Sequence, residues 1–390
     1  MITCLQVHND YLIPGGETKS AKLIADLLEE NGIKVIRYYK SNEKLKSAGK
    51  LEKITAGIKS LYNYDTAVEV SKIIEENHID FALIHNVSPI ISNSIYSVLI
   101  KNNIRIYKYL QNYNLLCLNG AMDQGEKCEL CAKRSAIGVR SKCYKSSAVY
   151  SLQKLITKKI LWKKYLDSFY GFIAISSFVK KKHVAFGIPE DKIHVLYHFC
   201  EENAQIIRSG NDDRYVVYLG RLSKEKGIMT LIHAMKNNPE IELKIMGNGP
   251  MEQELQQYVC ENKMSNIQFL GFKSGEEKNQ IIANAIALVA PSEWEEPFGR
   301  IAIEAYQVGT PVIASAIGGL NELVEDGVTG YKFEAGNVEN LSKCISAIAM
   351  LSSHELDLMR SECVQLVNRK FSKKAYFDDL AKIMEWENCS

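Results

Sequence analysis

"ALVAPSEWEEPFGRIAIEAYQVGTPVIAS", Ala287–Ser315, is the stretch on which the reading of the chain turns. Ala287–Ser292 is an apolar run of strand length. A Pro297-Phe298-Gly299 turn follows, then an amphipathic stretch of helix length closing at Gly309, then a second apolar run, Pro311–Ser315. Strand, helix and strand in quick succession make a crossover unit, the connection that parallel strands require. Glu296 stands before the turn and Glu304 falls on the helix, eight residues later. At roughly 100° per residue this spacing brings Glu304 to within about a quarter-turn of the azimuth of the helix start. Both carboxylates can then face one elongated ligand. Because a carboxylate accepts paired hydroxyl hydrogen bonds, two of them spaced along a ligand suit sugar rings.

The same alternation runs outward in both directions. Before the stretch lie "TCLQV", "KVIRYY", "FALIHN", "IRIYKYL", "GFIAIS" and "IHVLYHF", then "YVVYLG", "ELKIMG" and "IQFLG"; after it lies "GYKF". Helical patterns separate many of them, as in "ETKSAKLIADLLEENG", where Ala21, Ile24, Leu27 and Leu28 share a face and Gly32 can stop the helix. The pattern predicts an α/β fold of two Rossmann-like halves with parallel sheets, joined through the polar "CEENAQIIRSGNDDR". Ligands of such sheets bind at the carboxyl ends of the strands, which places the site in a cleft where the two halves face each other.

Composition fits this frame. At 390 residues the chain exceeds one ordinary core, and 46% hydrophobic with 24% charged residues describes a globular protein. A formal charge of +2 predicts no nucleic-acid partner. The amino terminus lacks a basic segment followed by a long apolar one, and no apolar run reaches about 18 residues, so neither a signal peptide nor a membrane span is expected. Cysteines scattered singly through apolar runs, such as Cys4 and Cys344, point to a reducing, cytoplasmic setting.

Further motifs suit an anion. "YLGRLSKEKG" ends a strand and presents Arg221 and Lys226 as a helix begins, a planar fork and a point charge beside free amides. "IMGNGP" follows the next strand, with Gly247 free of side chain. Neither a G-x-G-x-x-G fingerprint nor a phosphate-binding G-x-x-x-x-G-K-[ST] loop occurs.

In this order, GR-x4-KG, G-x-GP, E-P-F-G-R-x3-E-A, G-T-P-V-I-A-S and GG-x2-E, the chain resembles glycosyltransferase family 4 over nearly its whole length. The resemblance implies the GT-B fold and a retaining, nucleotide-sugar-dependent transferase, its carboxyl-terminal helix crossing back to the first domain. It implies that Glu296 binds hydroxyls of the donor sugar and Glu304 the ribose. Arg221 and Lys226 would hold the diphosphate, amides of Phe298 and Gly299 in the Pro297–Arg300 turn the sugar and phosphates, and Gly15 and Gly16 a loop closing over them. Base recognition would run near Phe272, with a UDP- or GDP-sugar as donor. No D-x-D triplet occurs, so no catalytic metal is expected. The acceptor implied is a glycan or lipid-linked glycan, in surface-polysaccharide or O-antigen assembly.

The chain departs from the family pattern at Gln111, where relatives carry a histidine that contacts the donor sugar; glutamine hydrogen-bonds but does not titrate. The expectation is a positional role for Gln111, with a nucleotide-sugar hydrolase or epimerase, or a nucleotide-binding scaffold, as alternatives. Residues 111–147 form an aperiodic loop in which Cys117, Cys128, Cys131 and Cys143 suit either a structural zinc or unpaired thiols. In "SLQKLITKKILWKKYLDSFYG" five lysines from Lys154 to Lys164 accompany Leu152, Leu155, Ile156, Ile160 and Trp162. Such a helix either packs on its sheet or contacts the inner face of the cell membrane. The domain boundaries expected are 1–199 for an acceptor-binding half, 200–370 for the nucleotide-sugar half and 371–390 for the returning helix.

Overall fold

The computed structural model describes residues 1–11, 16–43, 57, 59–122, 128–133, 136–201 and 214–386. Gly15 and most of the polar segment 201–214 lie outside them. The chain divides into two compact units. Met1–Leu196 with Ile383–Glu385 make the first, and Tyr197–Lys382 with 386–390 the second.

In the first unit six strands, β1 (Thr3–Asp10), β2 (Lys34–Ser41), β3 (Phe81–Ile84), β4 (Arg105–Leu110), β5 (Gly171–Ala174) and β6 (Ile193–Val195), form one sheet in the order β2-β1-β3-β4-β5-β6. Every pairing is parallel. In the second, β7 (Tyr215–Leu219), β8 (Glu242–Met246), β9 (Ile267–Gly271), β10 (Ala287–Ala290), β11 (Val312–Ser315) and β12 (Gly330–Phe333) are ordered β12-β11-β10-β7-β8-β9, again all parallel. Each of the twelve apolar runs expected as strands is one.

The reason is burial on both faces. β3, β5, β10 and β11 are buried at every residue, because helices cover both sides of a parallel sheet and leave no face for polar side chains. The core of the second unit runs from Val216 and Leu231 through Ile245 and Val289 to Ile345, so β7 and β10 sit at its centre. The order within this sheet reverses between them. That reversal opens a crevice beyond their carboxyl ends. In the first unit the corresponding point lies between β1 and β3. No helix among the described residues is long and apolar enough to cross a membrane.

Candidate active site

The loops after β7 and β10 meet at the reversal of the second sheet. After β7, Gly220 N–H donates to the Met246 carbonyl at 3.0 Å, and Leu222 N–H to that of Asn248 at 3.0 Å, which ties this loop to the one after β8. The chain then makes a 3-10 turn over Lys224–Lys226 and enters the helix Ile228–Met235 through Gly227, at φ +65°. A Cβ on Gly227 would lie 1.8 Å from the Pro291 carbonyl oxygen, so only glycine lets the two loops touch. This contact brings Lys226 to Glu296, Nζ to Oε1 at 2.7 Å, with the lysine side chain 26% and the glutamate side chain 10% exposed. Lys226 also lies 5.8 Å from the centre of the Trp294 ring.

The backbone of Glu296 is gripped from behind. Gly319 N–H donates to its carbonyl at 2.7 Å, and a Cβ on Gly318, at φ +61°, would stand 2.6 Å from the same oxygen. Phe298 is buried edge-on against the His198 ring, with centroids 5.1 Å apart, and anchors the turn. Burial, with Arg300 adding, pushes His198 well below the ordinary imidazole range, so it packs as a neutral ring. The helix Arg300–Gln307 then starts at Gly299, whose φ is +100°. One turn on, Glu304 meets Lys278 Nζ at 2.8 Å and Arg300 Nε at 4.0 Å.

Arg221 is 65% exposed and paired with Glu225. Burial alone would raise the Glu225 carboxyl, but the Ser223 hydroxyl, an amide of its own backbone and Arg221 outweigh it and hold it below the ordinary range. Glu225 is therefore an anion placed on a guanidinium assigned to phosphate. Neither it nor Lys278 was singled out in the sequence, since both sit in polar runs, "SKEKG" and "SGEEKN", with no motif to mark them. Glu322, at the end of the GG-x2-E motif, accepts from the Tyr197 hydroxyl at 2.9 Å.

Other expected residues fall as follows. Phe272 is 73% exposed just beyond β9, where an aromatic face is free to stack. The space beside Gly247 is taken by the Gly220 carbonyl oxygen, 1.9 Å from where a Cβ would be, so this glycine serves loop packing. Gly16 opens the helix Gly16–Glu30 in the first unit. Gln111 follows β4 in that unit, is 8% exposed, and neither its Oε1 nor its Nε2 has a hydrogen-bond partner among the described residues. Leaving a buried amide unpaired costs about 1–3 kcal/mol, which marks it as a group kept for a ligand.

Of the two expectations for the cysteines, structural zinc finds no support. Among the described residues no three or more His, Cys, Asp or Glu side chains are placed to hold a metal. Cys117 and Cys131 are partnered with each other instead: the hydrogen bond between them holds Cys117 below the ordinary thiol range and pushes Cys131 above it. Cys128 and Cys143 form no disulfide. The basic helix buries Ser151, Leu155 and Leu161. On Ala148–Lys164 the apolar Val149, Leu152 and Ile156 are exposed, whereas Lys154 and Lys158 are only partly exposed and reach protein oxygens.

Residues 200–359 match the family model of glycosyl transferases group 1, so the segment holding Arg221, Lys226, Glu296 and Glu304 is a domain of that family. An uncharacterised glycosyltransferase of Methanocaldococcus jannaschii is 30% identical over 183 residues, 47% of this chain and 51% of that protein. The chain thus spans about half the length of the curated relatives it matches first. An uncharacterised 42.6 kDa protein of the Klebsiella pneumoniae cps region is 29% identical over 303 residues, 76% of this chain and 74% of that one. Among solved structures, Anabaena Alr3699/HepE in complex with UDP and glucose superposes with a TM-score of 0.69 at 18% identity, over 99% of this chain and 100% of that one. That likeness shows the fold: the α/β two-domain fold of GT-B glycosyltransferases.

Proposed function

We propose that this chain, with a group 1 glycosyltransferase domain over residues 200–359, transfers a sugar from a UDP-sugar to a glycan or lipid-linked glycan acceptor, retaining the anomeric configuration. The observation that carries the reading is the Lys226–Glu296 pair at 2.7 Å, set at the strand-order reversal of the family domain. UDP is the nucleotide favoured because a protein of like fold binds UDP and glucose. Polysaccharide assembly is the setting favoured because a relative is encoded in a cps region.

In the mechanism, the bond between the anomeric carbon and the diphosphate oxygen breaks, and UDP leaves with the electron pair. Lys226 and Arg221 neutralise the growing charge, and amides of the Phe298-Gly299 turn add fixed dipoles. The acceptor hydroxyl attacks the same face and passes its proton to the departing diphosphate oxygen. Glu296 fixes the sugar hydroxyls, Glu304 the ribose, Phe272 stacks on the base, and Gly16 serves the phosphates. Gln111, a non-titrating amide, positions the sugar by hydrogen bonds. The first unit, around residues 1–199, serves the acceptor.

Cys4, Cys117 and Cys363, none of them in a disulfide, favour a cytoplasmic site of action. Exposed Val149, Leu152 and Ile156, flanked by exposed Lys159 and Lys163, favour contact with an anionic membrane face. The test is UDP release from UDP-glucose and other UDP-sugars, with and without a glycan acceptor extract. Acceptor-dependent release lost in Arg221→Ala/Lys226→Ala is expected. Acceptor-independent release means a hydrolase, and binding without release a scaffold; either refutes transfer.

A further inference from the structure

The first unit carries a cleft that none of those steps uses. It lies beyond the carboxyl ends of β3 and β4, against the helix Ala148–Lys164. Its charged lining is Lys108, Lys154 and Lys158 against the single carboxylate of Glu17. Lys154 and Lys158 lie one helical turn apart and so share the inner face. Lys154 Nζ donates to Ser88 Oγ at 3.0 Å, Lys158 to the Leu116 carbonyl, and Lys108 to the His85 carbonyl. Glu17 accepts from Tyr11 and Asn112, each at 2.8 Å, and acts on Lys108. Neither Lys154 nor Lys158 has a carboxylate partner among the described residues; Lys158 faces the Cys117 and Cys131 thiols, and Lys145 repels Lys154.

Two further observations separate this cleft from a solvated basic surface. The Tyr96 hydroxyl, in a side chain fully buried on the cleft wall, has no hydrogen-bond partner among the described residues. Burial also lowers Lys108 and Lys154 to about 8, with Glu17 offsetting part of the effect at Lys108 and Lys145 adding to it at Lys154. The remaining wall is apolar, with Leu115, Leu118 and Leu161. Half-buried lysines with no carboxylate partner, beside a buried hydroxyl with none either, suit an oxyanion.

The geometry points to a phosphate-class oxyanion site in this cleft, gripped by Lys154 and Lys158 with the Tyr96 hydroxyl as a third donor and the leucines against the body that carries it. Resting on the transfer reading for this clause alone, the oxyanion belongs to the acceptor.

The experiment uses the full chain carrying Arg221→Ala/Lys226→Ala, which removes phosphate binding in the second unit. Methyl phosphate, glucose 1-phosphate and dihexanoyl phosphatidic acid are titrated by calorimetry. Saturable one-to-one binding is expected. Adding Lys154→Gln/Lys158→Gln should weaken it at least tenfold, and Lys154→Arg/Lys158→Arg less than threefold. Tyr96→Phe should weaken it severalfold without lowering Tm. Preference for the phosphatidic acid assigns a lipid-borne phosphate and preference for the sugar phosphate a soluble one; both support the site. No saturable binding, or equal binding by the glutamine and arginine pairs, overturns it. UDP binding is measured in parallel on the otherwise wild-type chain and on Lys154→Gln/Lys158→Gln alone. UDP bound with no phosphate bound sinks only this site, whereas no UDP bound by the wild type sinks the transfer reading.

Discussion

Replacing Glu296 by glutamine should make the protein bind UDP more tightly and UDP-glucose no better than UDP. Lys226 is held by Glu296 at 2.7 Å, with both side chains mostly shielded from water. At an effective dielectric of about 20 the gross attraction is roughly 6 kcal/mol, most of it offset by desolvation. With a quarter of the lysine exposed, a net coupling of about 1–2 kcal/mol remains. A diphosphate that takes Lys226 must first break this pair. Removing the carboxylate removes that cost, and about 1 kcal/mol corresponds to roughly fivefold in affinity. Glu296→Gln should therefore raise UDP affinity about fivefold while abolishing the gain that the sugar contributes. Lys226→Met should weaken both ligands about a hundredfold, near 3 kcal/mol for a charge-assisted contact to phosphate. Calorimetric titration of UDP and UDP-glucose against both variants and the wild type is the assay. Unchanged UDP affinity in Glu296→Gln, with the sugar's gain intact, would refute the assignment of the pair.

Gly227→Ala should cost more than about 3 kcal/mol, read as a lower urea midpoint, because its Cβ would strike the Pro291 carbonyl oxygen at 1.8 Å. Gly32→Ala, also left-handed at φ +79° but with open space around it, should cost only about 1–2 kcal/mol. Gln111→Met removes a buried amide with no partner, so Tm should rise while turnover falls; a drop in both would show that the amide is paired in the empty protein. Lys154 titrates near 8 when folded and near 10.5 when unfolded, so between those values the unfolded chain binds more protons and stability should rise with pH. Lys154→Met should flatten that rise in urea melts from pH 7.5 to 10.

The fold was legible because its cause is local. Each buried strand is a short apolar run, and runs such as "FALI" and "ALVA" announce burial on both faces without reference to any distant residue. Glu296, Glu304, Arg221 and Lys226 were legible as candidates because turn glycines and a family resemblance fix their loops. Their pairing was not. Lys226 and Glu296 are seventy residues apart and meet only through the Gly227–Pro291 contact, while Lys278 and Glu225 look like ordinary solvated charges. The cysteine spacing left zinc and thiols open because C-x2-C fits a metal knot on spacing alone, whereas Cys131 is partnered with Cys117. The lysine helix was legible only in part: charge along a helix does not say which lysines turn inward, as Lys154 and Lys158 do.

The second unit keeps its own counter-ions at hand, Lys226 with Glu296 and Lys278 with Glu304. A visitor that satisfies only the cations strands the acids, and one that satisfies only the acids strands the cations. Chloride, sulfate or a neutral sugar alone therefore has little to gain there. Occupancy favours a molecule carrying negative charge and hydroxyls together, a two-key lock that keeps the cell's abundant simple anions from jamming it.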